Sequence, residues 1–340
     1  MFTPEKILPS AADIKKALPL PVGFKERKEN AIKQIRNILS GADKRKLFLV
    51  GPCSADDPSA VIEYAQKLSR VAEKVKDKIY TVMRVYTAKP RTRGEGYMGI
   101  VHNPAGNTVD ISAGLFAVRK LHLDVANISG LFTADEMLYT DMYPYIDDVV
   151  SYMTVGARSA EDQMHRFVAG GADVPVGIKN PLSGNPIDHA DCVHAARVSS
   201  TFAYCGRQVV SSGNKYAHAV FRGGVDRRGG DFCNYEPNDI LKAREAFILR
   251  GVDGIGAIVD TGHANSEKNP NRVGEIVNRV ISSTVTSPEY GDFVKGVMIE
   301  SYLFCGSKAP FSEGYGVSVT DPCVGIEETE QIMLRAAAIL

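Results

Sequence analysis

The amino-acid sequence predicts a (β/α)8 barrel, also called a TIM barrel, with an N-terminal arm and an inserted β-hairpin. Three observations support this prediction: eight short apolar runs, helical periodicity between them, and polar residues directly after each run. Short runs that are apolar throughout are typical of strands buried on both faces. Eight such strands alternating with helices indicate a parallel barrel, whose active site lies at the carboxyl ends of its strands.

Each apolar run leads into residues suited to chemistry. In chain order the runs are 47–50 before Cys53, 81–83 before Arg84, 131–134 before Asp135 and Glu136, 152–155 before Arg158, 174–178 before Lys179, 219–221 before Arg222, 257–259 before Asp260 and His263, and 297–299 before Glu300. A barrel that is merely stable does not need such residues at its strand ends, whereas an enzyme does. The pattern therefore predicts an enzyme.

Helical periodicity is clear in two segments between the early strands. Apolar residues recur at helical spacing after Asp57 and Pro58, and again after Asp110. Aspartate is a preferred N-cap residue, because its carboxylate accepts hydrogen bonds from the first free backbone N–H groups. We expect helices to begin directly after these two aspartates.

The chain is longer than the ~250 residues that a typical barrel requires, and two segments account for the additional length. We predict that residues 1–45 form an N-terminal arm and that residues 46–340 form one catalytic barrel domain. Two short runs flanking Gly206 predict an inserted β-hairpin near residues 199–215. The arm and the hairpin are candidates for subunit contacts and regulation.

Composition and charge exclude several function classes. The 340 residues are 44% hydrophobic and 24% charged, and the 40 basic side chains balance the 40 acidic ones, so no nucleic-acid partner is expected. No apolar run approaches the ~18 residues of a membrane span, and the N-terminus lacks a signal-peptide pattern, so we expect no membrane partner and a cytoplasmic location. The six cysteines show no paired spacing, so we expect no disulfide framework, and we expect all except Cys53 to be buried.

Four residues form a candidate metal site: Cys53, His263, Glu300 and Asp321. A barrel brings the ends of its first, seventh and eighth strands together, and Asp321 follows the eighth. One thiolate, one imidazole and two carboxylates suit manganese, iron, cobalt or zinc better than magnesium. We expect a divalent metal ion, with manganese as the first choice.

Cations at the remaining strand ends predict an anionic substrate. They are Arg84, Lys89, Arg91, Arg158, Lys179 and Arg222. Guanidinium groups bind phosphate and carboxylate through paired hydrogen bonds. Six like charges at one mouth would repel each other without an anionic ligand, so we expect small phosphorylated substrates. A strand-end lysine also permits a Schiff base, which makes Lys179 a candidate nucleophile.

The ordered motifs of the chain resemble those of type I 3-deoxy-D-arabino-heptulosonate 7-phosphate (DAHP) synthases. They are Gly51-Pro52-Cys53-Ser54, Met83-Arg84-Val85-Tyr86, Lys89-Pro90-Arg91-Thr92, Gly156-Ala157-Arg158, Lys179-Asn180, Arg222-Gly223-Gly224, His263-Ala264-Asn265-Ser266, Met298-Ile299-Glu300-Ser301 and Thr320-Asp321. The resemblance spans nearly the whole chain. It implies the first step of the shikimate pathway, in which phosphoenolpyruvate and erythrose 4-phosphate condense to DAHP and phosphate in a metal-dependent barrel.

The resemblance also implies roles for individual residues. Cys53, His263, Glu300 and Asp321 match the metal ligands of the family. Phosphoenolpyruvate would contact Arg84, Lys89, Glu136, Arg158, Lys179 and Arg222, and erythrose 4-phosphate would contact Lys89, Arg91 and Thr92. Direct catalytic roles would belong to Lys89, Lys179, His263 and Asp321. The long arm matches a subgroup of homo-oligomers that are inhibited by an aromatic amino acid, so we expect a homodimer or homotetramer. The feedback inhibitor stays open between phenylalanine, tyrosine, tryptophan and none.

Three departures from the family pattern bear on the aldehyde substrate, and one of them is Ile326, at a position that is often tryptophan in related enzymes. Asp135 stands where related enzymes commonly have glycine, so this extra carboxylate either points away from the anion site or tunes a neighbouring cation. The loop of residues 93–99 differs from the usual one in length and content.

Three alternatives stay open from the sequence. The first is a related synthase that uses another aldose phosphate or an amino sugar. The second is a metal-independent Schiff-base aldolase that uses Lys179, and the third is a non-catalytic relative that senses an amino acid.

Overall fold

The computed structural model describes residues 1–91 and 94–340, so that Thr92 and Arg93 lie outside the described residues. The strands are β1 (Lys46–Gly51), β2 (Ile79–Arg84), β3 (Thr133–Glu136), β4 (Val150–Val155), β5 (Val176–Lys179), β6 (Ser200–Tyr204), β7 (Arg207–Ser211), β8 (Ala217–Phe221), β9 (Gly224–Val225), β10 (Asp231–Phe232), β11 (Ala257–Asp260), β12 (Val294–Tyr302) and β13 (Val324–Gly325). The helices are α1 (Ala11–Ala17), α2 (Phe24–Leu39), α3 (Pro58–Val75), α4 (Ile111–Ser129), α5 (Tyr143–Ile146), α6 (Gln163–Gly171), α7 (Pro186–Arg197), α8 (Pro237–Leu249), α9 (Val273–Thr286), α10 (Pro288–Phe293) and α11 (Ile326–Ile339), with short 3-10 helices at Thr140–Met142 and Pro270–Arg272.

Eight parallel strands of the described chain close into a barrel, which confirms the predicted fold class. Their order is β1-β2-β3-β4-β5-β8-β11-β12, and β12 pairs back with β1, with Leu49 opposite Met298. Helices follow the strands around the outside. The predicted hairpin is also present, because β6 and β7 pair antiparallel across a turn at Cys205 and Gly206.

Two strand boundaries differ from the predicted ones. β3 begins at Thr133 and includes Asp135 and Glu136, whereas the sequence placed both acids after the strand. Glu300 lies inside β12, because Ser301 pairs with Val324 and the added pairing with β13 extends β12 to Tyr302. These acids therefore have the fixed backbone of a strand.

The two predicted helix starts are confirmed by their N-cap hydrogen bonds. The Asp57 carboxylate accepts from the backbone N–H of Ser59, at 2.8 Å, at the start of α3. The Asp110 carboxylate accepts from the backbone N–H of Ala113, at 3.1 Å, at the start of α4.

The barrel interior is apolar, and α2 covers its amino-terminal end. One buried cluster contains Leu49, Tyr152 and Met298 from the strands together with Ile35 and Ile38 from α2. The backbone N–H of Gly256, just before β11, donates to the carbonyl of Leu39 at 2.8 Å. The second half of the predicted arm thus forms the floor of the barrel, while the first ten residues are almost entirely exposed. The domain boundary at residue 45 stays a prediction.

All six cysteines lie in the described chain, and all are free. Cys192 and Cys323 are buried as expected, but Cys205, Cys233 and Cys305 are exposed, so the prediction was wrong for these three. Each of the three follows or lies in a loop or hairpin turn, where apolar character alone does not secure burial. Within residues 1–91 and 94–340, no helix is both long and apolar enough to span a membrane.

Candidate active site

A cavity opens at the carboxyl ends of the barrel strands. Its charged lining residues are Arg84, Lys89, Arg91, Glu136, Arg158, Lys179, Arg222, His263, Lys268, Glu300 and Asp321. The structure therefore brings together all six predicted cations and three of the four predicted metal ligands. The fourth, Cys53, is fully buried and contacts Lys89 and Asp321. We call this cavity and the residues that line it the mouth.

One half of the mouth is a cluster of metal-type ligands. The Cys53 sulfur and one oxygen each from Glu300 and Asp321 lie within 4.8 Å of one another. His263 lies next to the cluster, with Nε2 3.9 Å from Oε1 of Glu300. A thiolate, two carboxylates and an adjacent imidazole fit a borderline divalent ion. We call these four residues the ligand half.

The ligand half is arranged around a positive charge. Nζ of Lys89 lies 2.7 Å from the Cys53 sulfur and 3.7 Å from Oδ2 of Asp321. Burial, together with the charge of Glu300, raises the pKa of the Cys53 thiol to about 11, so the thiol ionises only beside a cation. Burial also opposes the charge on Lys89, but Cys53, Glu300 and Asp321 together outweigh burial and raise its pKa. The site fits a cation.

Two loop contacts fix Cys53 against the segment that carries Asp321. The backbone N–H of Cys53 donates to the sulfur of Cys323 at 3.4 Å. The hydroxyls of Ser54 and Thr320 lie 2.8 Å apart. The ends of the first and eighth strands are neighbours in the barrel, so these contacts hold two candidate metal ligands, Cys53 and Asp321, in place.

The other half of the mouth presents hydrogen-bond donors without protein partners. Arg84 is fully buried between Glu300, which accepts from Nη2 at 3.2 Å, and the ring of Tyr86, 4.2 Å from its guanidinium carbon. Nε and Nη1 of Arg84 and Nη1 of Arg222 have no hydrogen-bond partner among the described residues. Buried donors normally have partners, so these atoms are available to an anionic ligand. With Arg158 and Lys179, these residues form what we call the anion half.

Lys179 is held between two carboxylates. Its Nζ lies 3.2 Å from Oδ2 of Asp260 and 3.4 Å from Oε2 of Glu136. Burial lowers the pKa of Lys179, but the two carboxylates outweigh burial and raise it above its usual value. Burial likewise opposes the charge on Glu136, whereas Lys179 and Lys89 bring the pKa of that carboxyl below its usual value. Lys179 is therefore protonated, which does not suit a Schiff-base nucleophile.

Asp260 joins the two halves, a role that the sequence analysis missed. It is fully buried, and its Oδ2 lies 3.0 Å from Nδ1 of His263 as well as 3.2 Å from Lys179. Burial raises the pKa of its carboxyl, but His263 and Lys179 hold it well below the usual range. The position of Asp260 at the end of the seventh strand was the available signal. Lys268, 3.6 Å from Oδ1 of Asp321, was also missed, because it lies in a loop without periodicity.

Three buried asparagines fix the backbone that carries Arg222. The backbone N–H of Arg222 donates to Oδ1 of Asn180 at 2.9 Å, and that of Gly223 donates to Oδ1 of Asn234 at 2.7 Å. Asn234 in turn donates its backbone N–H to Oδ1 of Asn265. Gly223 has φ +76°, and a Cβ there would lie 2.7 Å from the carbonyl oxygen of Phe232, so this turn requires glycine. These three asparagines therefore support the mouth although they do not line it.

Asp135 and Arg91 were both predicted to bear on the aldehyde substrate, and the structure describes both. Asp135 is buried and points away from the anion half, towards Thr87 and His122. Arg91 lines the mouth and donates from Nε to the carbonyl of Tyr97 at 2.8 Å. Thr92, the third predicted contact for erythrose 4-phosphate, lies outside the described residues.

Comparison with known proteins gives consistent matches over nearly the full length. A family model described as the DAHP synthetase I family matches residues 20–334. The chain is 34% identical to a Tyr-sensitive phospho-2-dehydro-3-deoxyheptonate aldolase of Escherichia coli (strain K12), over 98% of this chain and 93% of the relative. It is 35% identical to the Phe-sensitive form from the same strain, over 96% and 95%. A solved structure of such an aldolase from Francisella tularensis SCHU S4 matches with a TM-score of 0.91 and 30% identity, covering 100% of this chain and 98% of that one.

Proposed function

The chain belongs to the DAHP synthetase I family, and we propose that the two halves of its mouth divide the family's reaction between them. The reaction condenses phosphoenolpyruvate with D-erythrose 4-phosphate to DAHP and inorganic phosphate, the first step of aromatic amino acid biosynthesis. One observation supports this division above all: buried guanidinium groups with free donors lie directly beside a cluster of cysteine and two carboxylates.

In this proposal the anion half binds phosphoenolpyruvate. Arg84, Arg158 and Arg222 would bind its phosphate and carboxylate groups, since forked guanidinium donors match both. Lys179 would add a permanent positive charge, which its pairing with Asp260 and Glu136 maintains. Glu136 would also orient the water that attacks C2 when positive charge develops there.

The ligand half would hold the divalent metal ion on which this family depends. We propose Cys53, His263, Glu300 and Asp321 as its ligands and manganese as the ion, with iron, cobalt and zinc also matching this donor set. When bound, the ion would act as a Lewis acid towards the aldehyde oxygen of erythrose 4-phosphate.

Lys89 and Arg91 would bind erythrose 4-phosphate at the border of the two halves, with Thr92 as a third contact. Lys89 is protonated and lies beside the ligand half, so its ammonium can donate to an oxygen that gains negative charge when C3 of phosphoenolpyruvate attacks the aldehyde. Water then adds at C2, and departure of phosphate completes the reaction. Both substrates are anionic, which accounts for the number of cations in the mouth.

The observations bear on each of the three alternative functions that the sequence left open. A Schiff-base aldolase needs a neutral lysine, whereas Lys179 is paired with two carboxylates. A non-catalytic sensor would not need both halves of the mouth, and both are in place. A synthase for another aldose phosphate or an amino sugar is not favoured, since the curated relatives above are named for the heptonate product.

We also propose how the enzyme is regulated and which segments make its subunit contacts. The two Escherichia coli relatives are named Tyr-sensitive and Phe-sensitive, which supports an aromatic amino acid as feedback inhibitor of this chain. The exposed β6–β7 hairpin and the exposed first ten residues support the proposal that hairpin and arm make subunit contacts in a homodimer or homotetramer. A cytoplasmic location stays a prediction.

The test is a turnover assay on metal-stripped protein with and without manganese. We expect loss of phosphoenolpyruvate and release of phosphate in equal amounts with erythrose 4-phosphate, only after metal is added. Arabinose 5-phosphate in place of erythrose 4-phosphate is the matched control for the aldehyde. Turnover that survives chelation, or a preference for the pentose, would refute the proposed reaction.

A further inference from the structure

Asp135 connects three elements directly beneath the mouth. It is the next-to-last residue of β3 and is 2% exposed. Its Oδ1 accepts from the backbone N–H of Thr87 at 2.9 Å and from that of Glu136 at 2.7 Å. Its Oδ2 accepts from the Thr87 hydroxyl at 2.5 Å and lies 3.1 Å from Nε2 of His122 in α4. One carboxylate thus links the segment after β2, the end of β3, and α4.

The segment attached at Thr87 leads to two cations of the mouth. Thr87 precedes Lys89 and Arg91, which both line the mouth. The chain returns to the same point, because the backbone N–H of Val101 donates to the carbonyl of Thr87 at 3.2 Å. Gly99 passes so close that a Cβ there would lie 2.2 Å from that carbonyl oxygen. Residues 87–91 and 94–101, which we call the cation segment, are therefore fastened to the barrel at Thr87.

The same carboxylate also fixes the opposite side of the mouth. The backbone of Glu136 is bonded to Asp135, and the Glu136 side chain lies 3.4 Å from Lys179 in the anion half. Asp135 therefore links the cation segment, which carries Lys89 and Arg91, to the strand that carries Glu136. With four donors around it, the Asp135 carboxylate is satisfied within the protein and has no oxygen directed at a substrate.

We infer that Asp135 is a positioning residue for the aldehyde substrate, acting through Thr87 on the placement of Lys89 and Arg91. The inference rests on the proposed function, in which these two cations bind erythrose 4-phosphate. Arg84, Arg158 and Arg222 lie outside the cation segment, and Glu136 is also held by its strand pairing with Thr154 of β4. Loss of Asp135 therefore affects the aldehyde far more than phosphoenolpyruvate. Displacement of a binding group by about 1 Å is enough for a large kinetic effect.

The primary test is the steady-state kinetics of Asp135→Ala, with each substrate varied at saturation of the other. We expect the KM for erythrose 4-phosphate to rise at least about tenfold and the KM for phosphoenolpyruvate to change by less than about threefold. Asp135→Asn keeps an oxygen that can accept from both backbone N–H groups. It is expected to stay within about threefold of the wild type for both substrates.

A second pair of variants covers the case in which Asp135→Ala does not fold. Thr87→Val removes only the hydroxyl donor at nearly constant volume, and we expect a smaller rise, about threefold, in the KM for erythrose 4-phosphate alone. Thr87→Ser retains the hydroxyl and should restore the wild-type value. Asn214→Ala is the matched control, since Asn214 is also buried and bonded to three backbone carbonyls, but it lies in the loop before β8.

The outcomes separate a positioning role from a structural one. A purely structural role would lower the melting temperature and the active fraction of Asp135→Ala, as for Asn214→Ala, without changing either KM. That result, or equal increases in both KM values, would overturn the inference. The proposed function would still stand, because it depends on turnover by the wild-type enzyme. If the wild-type enzyme itself fails to turn over erythrose 4-phosphate, the proposed function and the inference are both wrong.

Discussion

Buried ionisable groups behave in opposite ways in the mouth and in the barrel wall, by which we mean helix α7 with His189 and strand β8 with His218. In the mouth, Lys179 and Asp260 are fully buried but keep their charges, because each faces an opposite charge at close range. In the wall, burial lowers the pKa of His189 and of His218 to about 4, so both imidazoles are neutral. Burial alone therefore removes charge, and charge persists only where partners are provided. The mouth therefore keeps charges that a ligand could contact, whereas His189 and His218 are neutral.

The largest expected effect is the loss of turnover in Cys53→Ala. Removing the thiolate deletes a proposed metal ligand, and we expect activity to fall at least about 100-fold, with weaker metal binding. Cys53 is fully buried and belongs to the apolar core, so loss of its sulfur should also lower the melting temperature modestly while the protein still folds. Phosphate release and a metal titration would measure these effects. The exposed Cys305→Ala is the control, and near-normal activity of Cys53→Ala would remove Cys53 from the site.

Ile35→Ala should produce the opposite result, a loss of stability without loss of substrate affinity. Ile35 is fully buried in the floor of the barrel, and truncating such a side chain costs about 2–5 kcal/mol of unfolding free energy. Urea denaturation would measure the loss, and KM values of the folded fraction should match the wild type. Val22→Ala, at an exposed site, is the control. Unchanged stability would show that α2 is not part of the barrel core.

Arg222→Lys tests the anion half with charge conserved. A lysine cannot reproduce the forked donors of arginine, so we expect kcat/KM for phosphoenolpyruvate to fall by the equivalent of about 1–3 kcal/mol. Arg227→Lys makes the same change at an exposed position five residues along the chain and should have no effect. Wild-type kinetics in Arg222→Lys would exclude a direct contact with the substrate.

The smallest expected effect is a loss of stability in mild acid, caused by protonation of His189 and His218 in the unfolded chain. The folded-state pKa of His189 and of His218 is about 4, below the value of about 6.5 in the unfolded chain, so protons bind the unfolded state first as pH falls. Their stabilising effect is complete above pH 6.5 and declines towards pH 4, by about 1 kcal/mol per imidazole at pH 5.5. Denaturation midpoints from pH 7.5 to 5.5 would show it, and His218→Asn should reduce the slope. An identical slope in that variant would exclude His218 as a source.

The fold could be predicted from the sequence because strand ends carry a local signal. Each apolar run is short and ends at a polar residue, and the caps at Asp57 and Asp110 depend only on neighbouring residues. The floor could not be predicted in this way. The apolar stripe of α2, with Ile35 and Ile38, indicates that the helix is packed but not which surface it meets. That choice depends on contacts between residues far apart in sequence.

The same limit explains which site residues were found. Residues that end strands, such as Arg84 and Lys179, were identified because their position follows from barrel geometry. Asn234 and Lys268 come from loops, and their roles depend on hydrogen bonds or ion pairs formed only in the folded chain. The sequence also left open which way the Asp135 side chain points. Successive residues of a strand point to opposite faces, so an error of one residue in the boundary of β3 reverses the expected direction.

The division of the mouth into a ligand half and an anion half is tested most directly by calorimetric titration of metal-stripped protein with phosphoenolpyruvate alone. The wild type, Cys53→Ala and Arg222→Lys would be compared. If the halves act separately, the Kd of phosphoenolpyruvate is nearly the same for the wild type and Cys53→Ala, and it rises in Arg222→Lys. Loss of phosphoenolpyruvate binding in Cys53→Ala, with full binding in Arg222→Lys, would contradict the division.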